Sequence, residues 1–100
     1  PTALILPGDY AAPDTYAALT ARGVDIPDGM SVLSVNDDDV ATLLNPQLTT
    51  IRPPFEEMVE AALELFLDRA RRPFAPNRTV LIEPELIVRG STAPPKRHAE

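Results

Sequence analysis

The sequence contains no cysteine, few basic residues and no long apolar run, and each absence excludes a class of protein. Without cysteine the chain forms no disulfide, no cysteine-based zinc site and no thiol nucleophile. Nine Lys and Arg stand against 15 Asp and Glu, so a net charge of −6 makes this segment unsuited to gripping a phosphate backbone. No apolar run approaches the roughly 20 residues of a membrane helix, and no signal-peptide pattern opens the chain. We therefore expect a cytoplasmic protein with no membrane partner.

The remaining composition is that of a small globular domain. The chain has 100 residues, of which 44% are hydrophobic and 24% charged, within the range of folded globular proteins. Its 12 prolines are spread over loops and element boundaries, which indicates breaks between helices and strands rather than disorder. This length suits one small domain or a piece of a larger one.

Short apolar segments alternate with helical patterns from one end of the chain to the other. Strands are predicted at residues 3–6, 31–35, 48–51, 79–82 and 85–89. Helices are predicted from about residue 13 to Gly23, from residues 36–39 to Leu44, and over residues 54–72. The alternation indicates an α/β fold with a largely parallel sheet. The first helix begins either near Pro13 or earlier, with Asp9 as its cap.

The helix predicted over residues 54–72 has an unusually wide apolar side. That side consists of Phe55, Met58, Val59, Ala62, Leu63, Phe66, Leu67 and Ala70. Leu65 extends it further round the helix, beyond the width that one sheet normally covers. Because apolar side chains left in water cost several kcal/mol in total, we expect part of this surface to pack against structure outside the chain or against a second copy.

Four polar residues are predicted to lie where strands of the sheet end. In doubly wound folds ligands bind beyond the carboxyl ends of the strands, so Asp9, Asn36, Asp37 and Arg52 are the candidate ligand contacts. Asp9 can instead cap a helix, and the acidic run Asp37 to Asp39 can supply caps and first-turn charge. Arg52 can bind an anion through its guanidinium fork or form a salt bridge. The acidic run lacks the spacing of a calcium loop, so no metal site is predicted.

Three phrases occur in a fixed order between Gly23 and Pro95. They read G-V-D-I-P-D-G-M-S-V-L-S-V-N-D-D-D, then N-P-Q-L-T-T-I-R-P-P, then L-I-E-P-E-L-I-V-R-G-S-T-A-P-P. Their order resembles the end of the effector-binding domain of LacI/GalR-type transcriptional repressors. The resemblance covers residues 2–95 and implies a fragment of a periplasmic-binding-protein-like doubly wound fold, in which two subdomains flank a cleft.

The resemblance also implies where each segment of the chain belongs. Residues 1–51 would lie in the C-terminal subdomain, residues 52–83 would cross to the N-terminal subdomain as a helix and a strand, and residues 84–92 would return. Residues 1–92 would thus form the C-terminal portion of the effector-binding and dimerisation domain, and residues 93–100 a flexible tail. The DNA-binding module would precede Pro1, so that any DNA contact uses residues absent from this chain.

The resembling family usually carries specific polar residues at the three strand ends. They are Asn-Asp at the first, an aromatic residue and Asp-Asp at the second, and a basic residue and Gln at the third. The leading Asn, the first Asp and the Gln commonly contact a sugar or purine effector, and Gly8, Asn36 and Pro53 replace them here. Glycine and proline offer no side-chain hydrogen bond. The resemblance implies a sugar or nucleoside-like effector, or a different small molecule.

The function implied is a small-molecule-sensing and dimerisation segment of a transcriptional regulator, with no catalysis and no cofactor. A homodimer is expected, with Tyr16, Leu43 and Leu44 as candidate interface residues, and core packing is the alternative for the two leucines. Two other functions stay open: a ligand-free α/β dimerisation module, and part of a periplasmic-type solute-binding protein. A metal-dependent hydrolase built on the acidic run is the function that the sequence supports least.

Overall fold

The structure is a computed structural model that describes residues 1–96. The chain forms two compact units, the first made of residues 1–52 together with those from 86 onward, and the second of residues 53–85. The four candidate ligand contacts all belong to the first unit.

A mostly parallel sheet of four strands forms the centre of the first unit. Its strands are β1 (Ala3–Ile5), β2 (Ser31–Val35), β3 (Thr49–Arg52) and β4 (Glu85–Ile87), in the order β1-β2-β3-β4. β1 pairs with β2 and β2 with β3 in parallel, with Leu4 opposite Val32 and Ser34 opposite Thr50. The predicted α/β fold with a largely parallel sheet is confirmed. β1 is an edge strand, and Ile5 on it is 70% exposed.

Two helices connect these strands. A short 3-10 turn over Asp9–Ala11 leads into α1 (Ala12–Ala21), which carries proline in its first turn, where no backbone donor is lost. α2 (Val40–Leu43) is a single turn that ends before Pro46. The buried apolar core consists of Leu6, Ala12, Tyr16, Val32, Ala41 and Leu48.

Residues near the end of the described chain are anchored to the sheet. Ser91 is fully buried; its hydroxyl donates to the Val32 carbonyl at 2.6 Å and accepts from the Thr49 amide at 2.8 Å. The Ala93 amide donates to the Ser31 hydroxyl at 3.1 Å. The predicted flexible tail therefore does not begin at Ala93, because that residue is bonded to β2, and residues 97–100 lie outside the described part of the chain.

The second unit contains α3 (Phe55–Arg71), whose ends lie within one residue of the predicted helix. Acidic residues occupy its first turn and arginines its last turn, as the helix dipole favours. No residue of α3 is buried within the described chain, and Phe55, Leu63 and Phe66 are 54%, 57% and 67% exposed. The wide apolar side predicted from the sequence is thus largely exposed within residues 1–96.

Residues 79–82 do not form the predicted strand. This segment lines an apolar groove of about 390 Å³ together with Met58, Ala62 and Leu65 of α3. A β-strand requires ladder hydrogen bonds to a neighbouring strand, and within the described residues this segment has no such ladder. Its β-branched composition favoured a strand, but composition does not supply a partner.

Replacing Ser91 with alanine tests the anchor between the end of the described chain and the sheet. Ser91→Ala leaves the buried Thr49 amide and Val32 carbonyl without this side chain, so we expect the free energy of unfolding to fall by about 1–3 kcal/mol. Urea unfolding of the two proteins measures the difference. Thr42→Ala is the control, since its exposed hydroxyl bonds only to the Asp39 carbonyl. If both variants lose the same free energy of unfolding, or if Ser91→Ala loses none, Ser91 does not anchor this segment to the sheet.

Candidate functional site

The candidate site lies at the carboxyl ends of the three parallel strands of the first unit. Asp9 follows β1, Asn36 and Asp37 follow β2, and Arg52 is the last residue of β3. Parallel pairing of these strands brings their carboxyl ends to one edge of the sheet, as the sequence predicts. Hydrogen bonds link Asp9 to Asp38, and Asp37 to Arg52, across this edge.

The side chain of Asp9 is fully buried and accepts hydrogen bonds from three groups. The hydroxyls of Ser34 and Thr50 donate to Oδ1, the latter at 3.1 Å, and the backbone amide of Asp38 donates to Oδ2 at 2.6 Å. The helix-cap prediction for Asp9 is wrong, because α1 begins at Ala12 and its first turn receives no side-chain cap. Asp9 instead joins β2, β3 and the loop after β2.

The loop after β2 has an unusual backbone. Asn36 has φ of 123° and Asp37 φ of 59°, both in a region that residues with a Cβ rarely adopt. Two contacts to β3 hold this conformation: the Asn36 amide donates to the Ile51 carbonyl at 2.8 Å, and the Asp37 amide donates to the Thr50 hydroxyl at 3.2 Å. Strain of this kind persists only where the surroundings fix it, and it is concentrated at functional sites.

Asp37 forms ion pairs with two arginines. Its Oδ2 accepts from Arg52 Nε at 2.8 Å and Nη2 at 2.6 Å, and its Oδ1 accepts from Arg89 Nη2 at 2.7 Å. Arg89 Nη1 also donates to the Leu48 carbonyl at 2.9 Å. The capping interpretation of the acidic run is wrong at Asp37, whose carboxylate binds arginine, and at Asp39, which makes no side-chain cap to α2.

Burial and charge act in opposite directions on the Asp37 carboxyl. Burial acts to raise its pKa, but the hydrogen bonds and positive charges of Arg89 and Arg52 outweigh burial, so the pKa of Asp37 lies below its ordinary value. The carboxyl is therefore ionised near neutral pH and balances part of the charge of the two guanidinium groups.

Asn36 differs from the other predicted contacts because its side chain has no partner in the described chain. It is partly buried, and its side-chain amide makes no hydrogen bond to residues 1–96. Asp9 and Asp37, by contrast, use their carboxylate oxygens on partners within the unit. The site thus presents one partly buried amide, with a donor and an acceptor, beside the half-exposed Arg52.

The carboxyl end of β1 carries an aromatic ring in place of a polar side chain. A Cβ built on Gly8 would lie 2.5 Å from Tyr10 Cε1, so the tyrosine ring covers this glycine. Tyr10 is itself 72% exposed. A larger residue at position 8 would require this ring to move.

The three candidate interface residues differ in exposure. Tyr16 belongs to the core and is only 8% exposed; its hydroxyl donates to the Pro46 carbonyl at 2.8 Å, and burial raises the pKa of that hydroxyl. Its side chain is therefore not available as a surface contact. Leu44 is partly buried against the core, whereas Leu43 is 80% exposed.

Three partners of the site were not identified from the sequence. The sequence predicts Ser34, Thr50 and Arg89 only as strand residues. The available signal was polarity at buried strand positions, since a hydroxyl inside a sheet requires a bonding partner. Within residues 1–96 no three metal-ligating side chains lie together, and no helix there is long and apolar enough to cross a membrane.

The Asp37 ion pairs predict a specific pH dependence of stability. Because the folded-state pKa of Asp37 is lowered, its contribution is present above the ordinary aspartate pKa of about 3.9 and is lost as the pH falls through the folded-state value. Asp37→Asn should lower the free energy of unfolding by about 1–3 kcal/mol at neutral pH. Urea unfolding at a series of pH values should show this difference narrowing below about pH 4. If the difference in free energy of unfolding between the wild type and Asp37→Asn stays constant down to acid pH, the Asp37 ion pairs do not stabilise the fold as described.

Comparison with known proteins gives relatives of one kind. The chain is 35% identical over 92 residues to the HTH-type transcriptional regulator MalR of Streptomyces coelicolor, and 34% identical over 91 residues to the ribose operon repressor of Haemophilus influenzae. These matches cover 92% and 91% of this chain but 27% of each relative. The chain therefore spans about a quarter of the length of the curated relatives it matches.

A solved structure gives the same result. The LacI family transcriptional regulator from Enterococcus faecalis V583, with bound ribose, matches with a TM-score of 0.78 and 29% sequence identity. That match covers 95% of this chain and 36% of the other. Residues 1–92 match the family model of the periplasmic binding protein-like domain, so the chain belongs to that family and is homologous to part of the effector-binding domain of LacI-family transcriptional regulators.

Proposed function

We propose that this chain senses a neutral, polyhydroxylated effector through Asn36, as part of a transcriptional regulator. The observation that carries the proposal is the partly buried Asn36 amide, which has no partner in the described chain while its acidic neighbours are paired. The amide offers a donor and an acceptor, and a ligand hydroxyl satisfies both together.

The charges around the strand ends favour a neutral effector over a strong anion. The positive charge of Arg52 is opposed by Asp37 at 2.6 Å, and two further exposed carboxyl groups follow at Asp38 and Asp39. An anion would be repelled by these carboxylates, whereas sugar hydroxyls can accept from a guanidinium and donate to a carboxylate. The ribose bound in the Enterococcus faecalis relative is a ligand of this chemistry.

The assignment of segments to subdomains is part of the proposal. Residues 1–51 and 84–92 belong to the C-terminal subdomain, and residues 52–83 cross to the N-terminal subdomain. The division of the chain into compact units between residues 52 and 53 and between residues 85 and 86 supports this assignment. The apolar side of α3, largely exposed within residues 1–96, is consistent with further structure that packs on it.

In this proposal the chain performs no catalysis, and an effector acts by shifting a conformational equilibrium. DNA is bound by residues outside this chain, and the regulator works in the cytoplasm, where that DNA is found. A periplasmic-type solute-binding protein shares the fold, but the names of the relatives favour transcriptional regulation. A ligand-free dimerisation module is the other alternative, and it predicts no stabilisation by any ligand.

Thermal unfolding of the complete gene product with and without ribose tests the effector class. Ribose at a hundredfold excess over its Kd should raise the free energy of unfolding by about 2.7 kcal/mol. Asn36→Ala should weaken ribose binding about tenfold or more, because both hydrogen-bonding groups of the amide are lost. Gln47→Ala, which removes an exposed amide near α2, is the matched control and should bind as the wild type does.

Two results contradict this part of the proposal. Stabilisation by organic anions but by no sugar or nucleoside would exclude a neutral effector. Equal affinities in Asn36→Ala and Gln47→Ala would exclude Asn36 as a contact.

The regulator is also proposed to act as a homodimer, with Leu43 in its interface. Leu43 is 80% exposed beside the core of the first unit, so burial against a second copy would remove apolar surface from water.

Leu43→Glu should weaken dimerisation at least about tenfold, because it places a charge in an apolar contact. Analytical ultracentrifugation of the complete gene product measures this. Phe74→Glu, at a side chain that is 99% exposed in the second unit, is the control. A monomeric wild type, or equal dimerisation in both variants, contradicts the interface.

A further inference from the structure

The ion pairs of Asp37 connect the two places where the chain passes between its compact units. Arg52 is the last residue of the first unit before the chain leaves it at Pro53. Arg89 comes three residues after the chain re-enters that unit at Leu86. Both guanidinium groups bind the same carboxylate, one on each oxygen. A single residue beside Asn36 therefore holds both connecting segments.

The three charged groups differ in exposure. The side chain of Arg89 is 15% exposed and that of Asp37 9%, whereas that of Arg52 is 49% exposed. Arg89 is further fixed by its bond to the Leu48 carbonyl. Arg89 and Asp37 thus form an enclosed inner pair, and Arg52 is the more exposed member.

Backbone contacts join the same residues to β3. The Asn36 amide donates to the Ile51 carbonyl at 2.8 Å, and the Arg89 amide donates to the Thr49 hydroxyl at 2.9 Å. A displacement of Asp37 would consequently disturb the backbone contacts at the end of β3 and those of the segment that follows β4.

We propose that Asp37 is a positioning residue of the effector site, which orients the Arg52 guanidinium and couples the Asn36 loop to both connecting segments. The orienting role rests on the proposed function, whereas the coupling of the two segments does not require a ligand. A guanidinium held at Nε and Nη2 by one carboxylate keeps a fixed plane, and this sets the orientation of the whole group. Asp37 does not itself contact the effector.

A double-mutant cycle separates this role from a purely structural ion pair. Ribose affinity is measured by calorimetry in the complete gene product for the wild type, Asp37→Asn, Arg52→Gln and the double variant. Each single change should weaken binding about tenfold, and Asp37→Asn should cause less than about a twofold further loss once Arg52 is absent. Losses that multiply in the double variant overturn the orienting role, since Asp37 would then act independently of Arg52.

A second variant keeps the test decisive if Asp37→Asn folds poorly. Arg52→Lys leaves the inner pair of Asp37 and Arg89 intact and retains the positive charge, but it removes the planar fork. It should lose ribose affinity about as strongly as Arg52→Gln, within about threefold. Wild-type affinity in Arg52→Lys overturns the proposal, because the orientation of the guanidinium would not matter.

Hydrogen exchange without ligand tests the coupling of the two segments. In Asp37→Asn, exchange of the Asn36 and Arg89 amides should accelerate about tenfold relative to the Val32 amide, which bonds to the Ser91 carbonyl. Asp68→Asn breaks the Asp68–Arg72 pair of α3 and is the matched control, with no change expected at these amides. Acceleration that is equal at all three amides, or confined to Asn36, overturns the coupling. If ribose does not bind the wild type, the proposed sugar effector fails, while this exchange result still decides the coupling.

Discussion

The carboxylate of Asp9 has no exposed surface, and its two oxygens accept hydrogen bonds from Ser34, Thr50 and the backbone amide of Asp38. A buried carboxylate is tolerated only with such donors, because an unsatisfied one carries the full cost of desolvation. The need for these three donors fixes β2, β3 and the loop after β2 relative to the end of β1. The positive φ angles of Asn36 and Asp37 are kept in place by that constraint.

The same arrangement explains why the polar residues at the strand ends have different roles. Asp9 is enclosed and bonds only to the structure around it, whereas Asp37 is paired with two arginines and balances part of their charge. Asn36 alone among the predicted contacts keeps a side chain without a partner in residues 1–96. Burial and pairing, rather than residue type, thus separate the supporting residues from the one suited to a ligand. The chain belongs to a family whose LacI-type members include a ribose-bound regulator.

Features set by local periodicity were predictable from the sequence, and features set by long-range contacts were not. β2 and α3 were placed to within one residue, because a strand bounded by turn residues and a helix with an apolar side have characteristic patterns. The strand predicted at residues 79–82 was wrong, because composition does not show whether a neighbouring strand is present to form the ladder, and the described residues contain none. The cap assigned to Asp9 was also wrong, since its donors lie 25 to 41 residues away along the chain. Arg89 stayed unassigned for the same reason, being 52 residues from Asp37.

The most direct test of the account is a magnetic resonance titration of the isotope-labelled complete gene product with ribose, following the side-chain amide of Asn36. Direct contact predicts a saturable shift of both Asn36 side-chain amide signals, and slower exchange of those protons with water. Saturable binding that leaves these signals unchanged while others move would contradict the central claim. The amide at the end of β2 would then be an unused polar group rather than the contact for the effector.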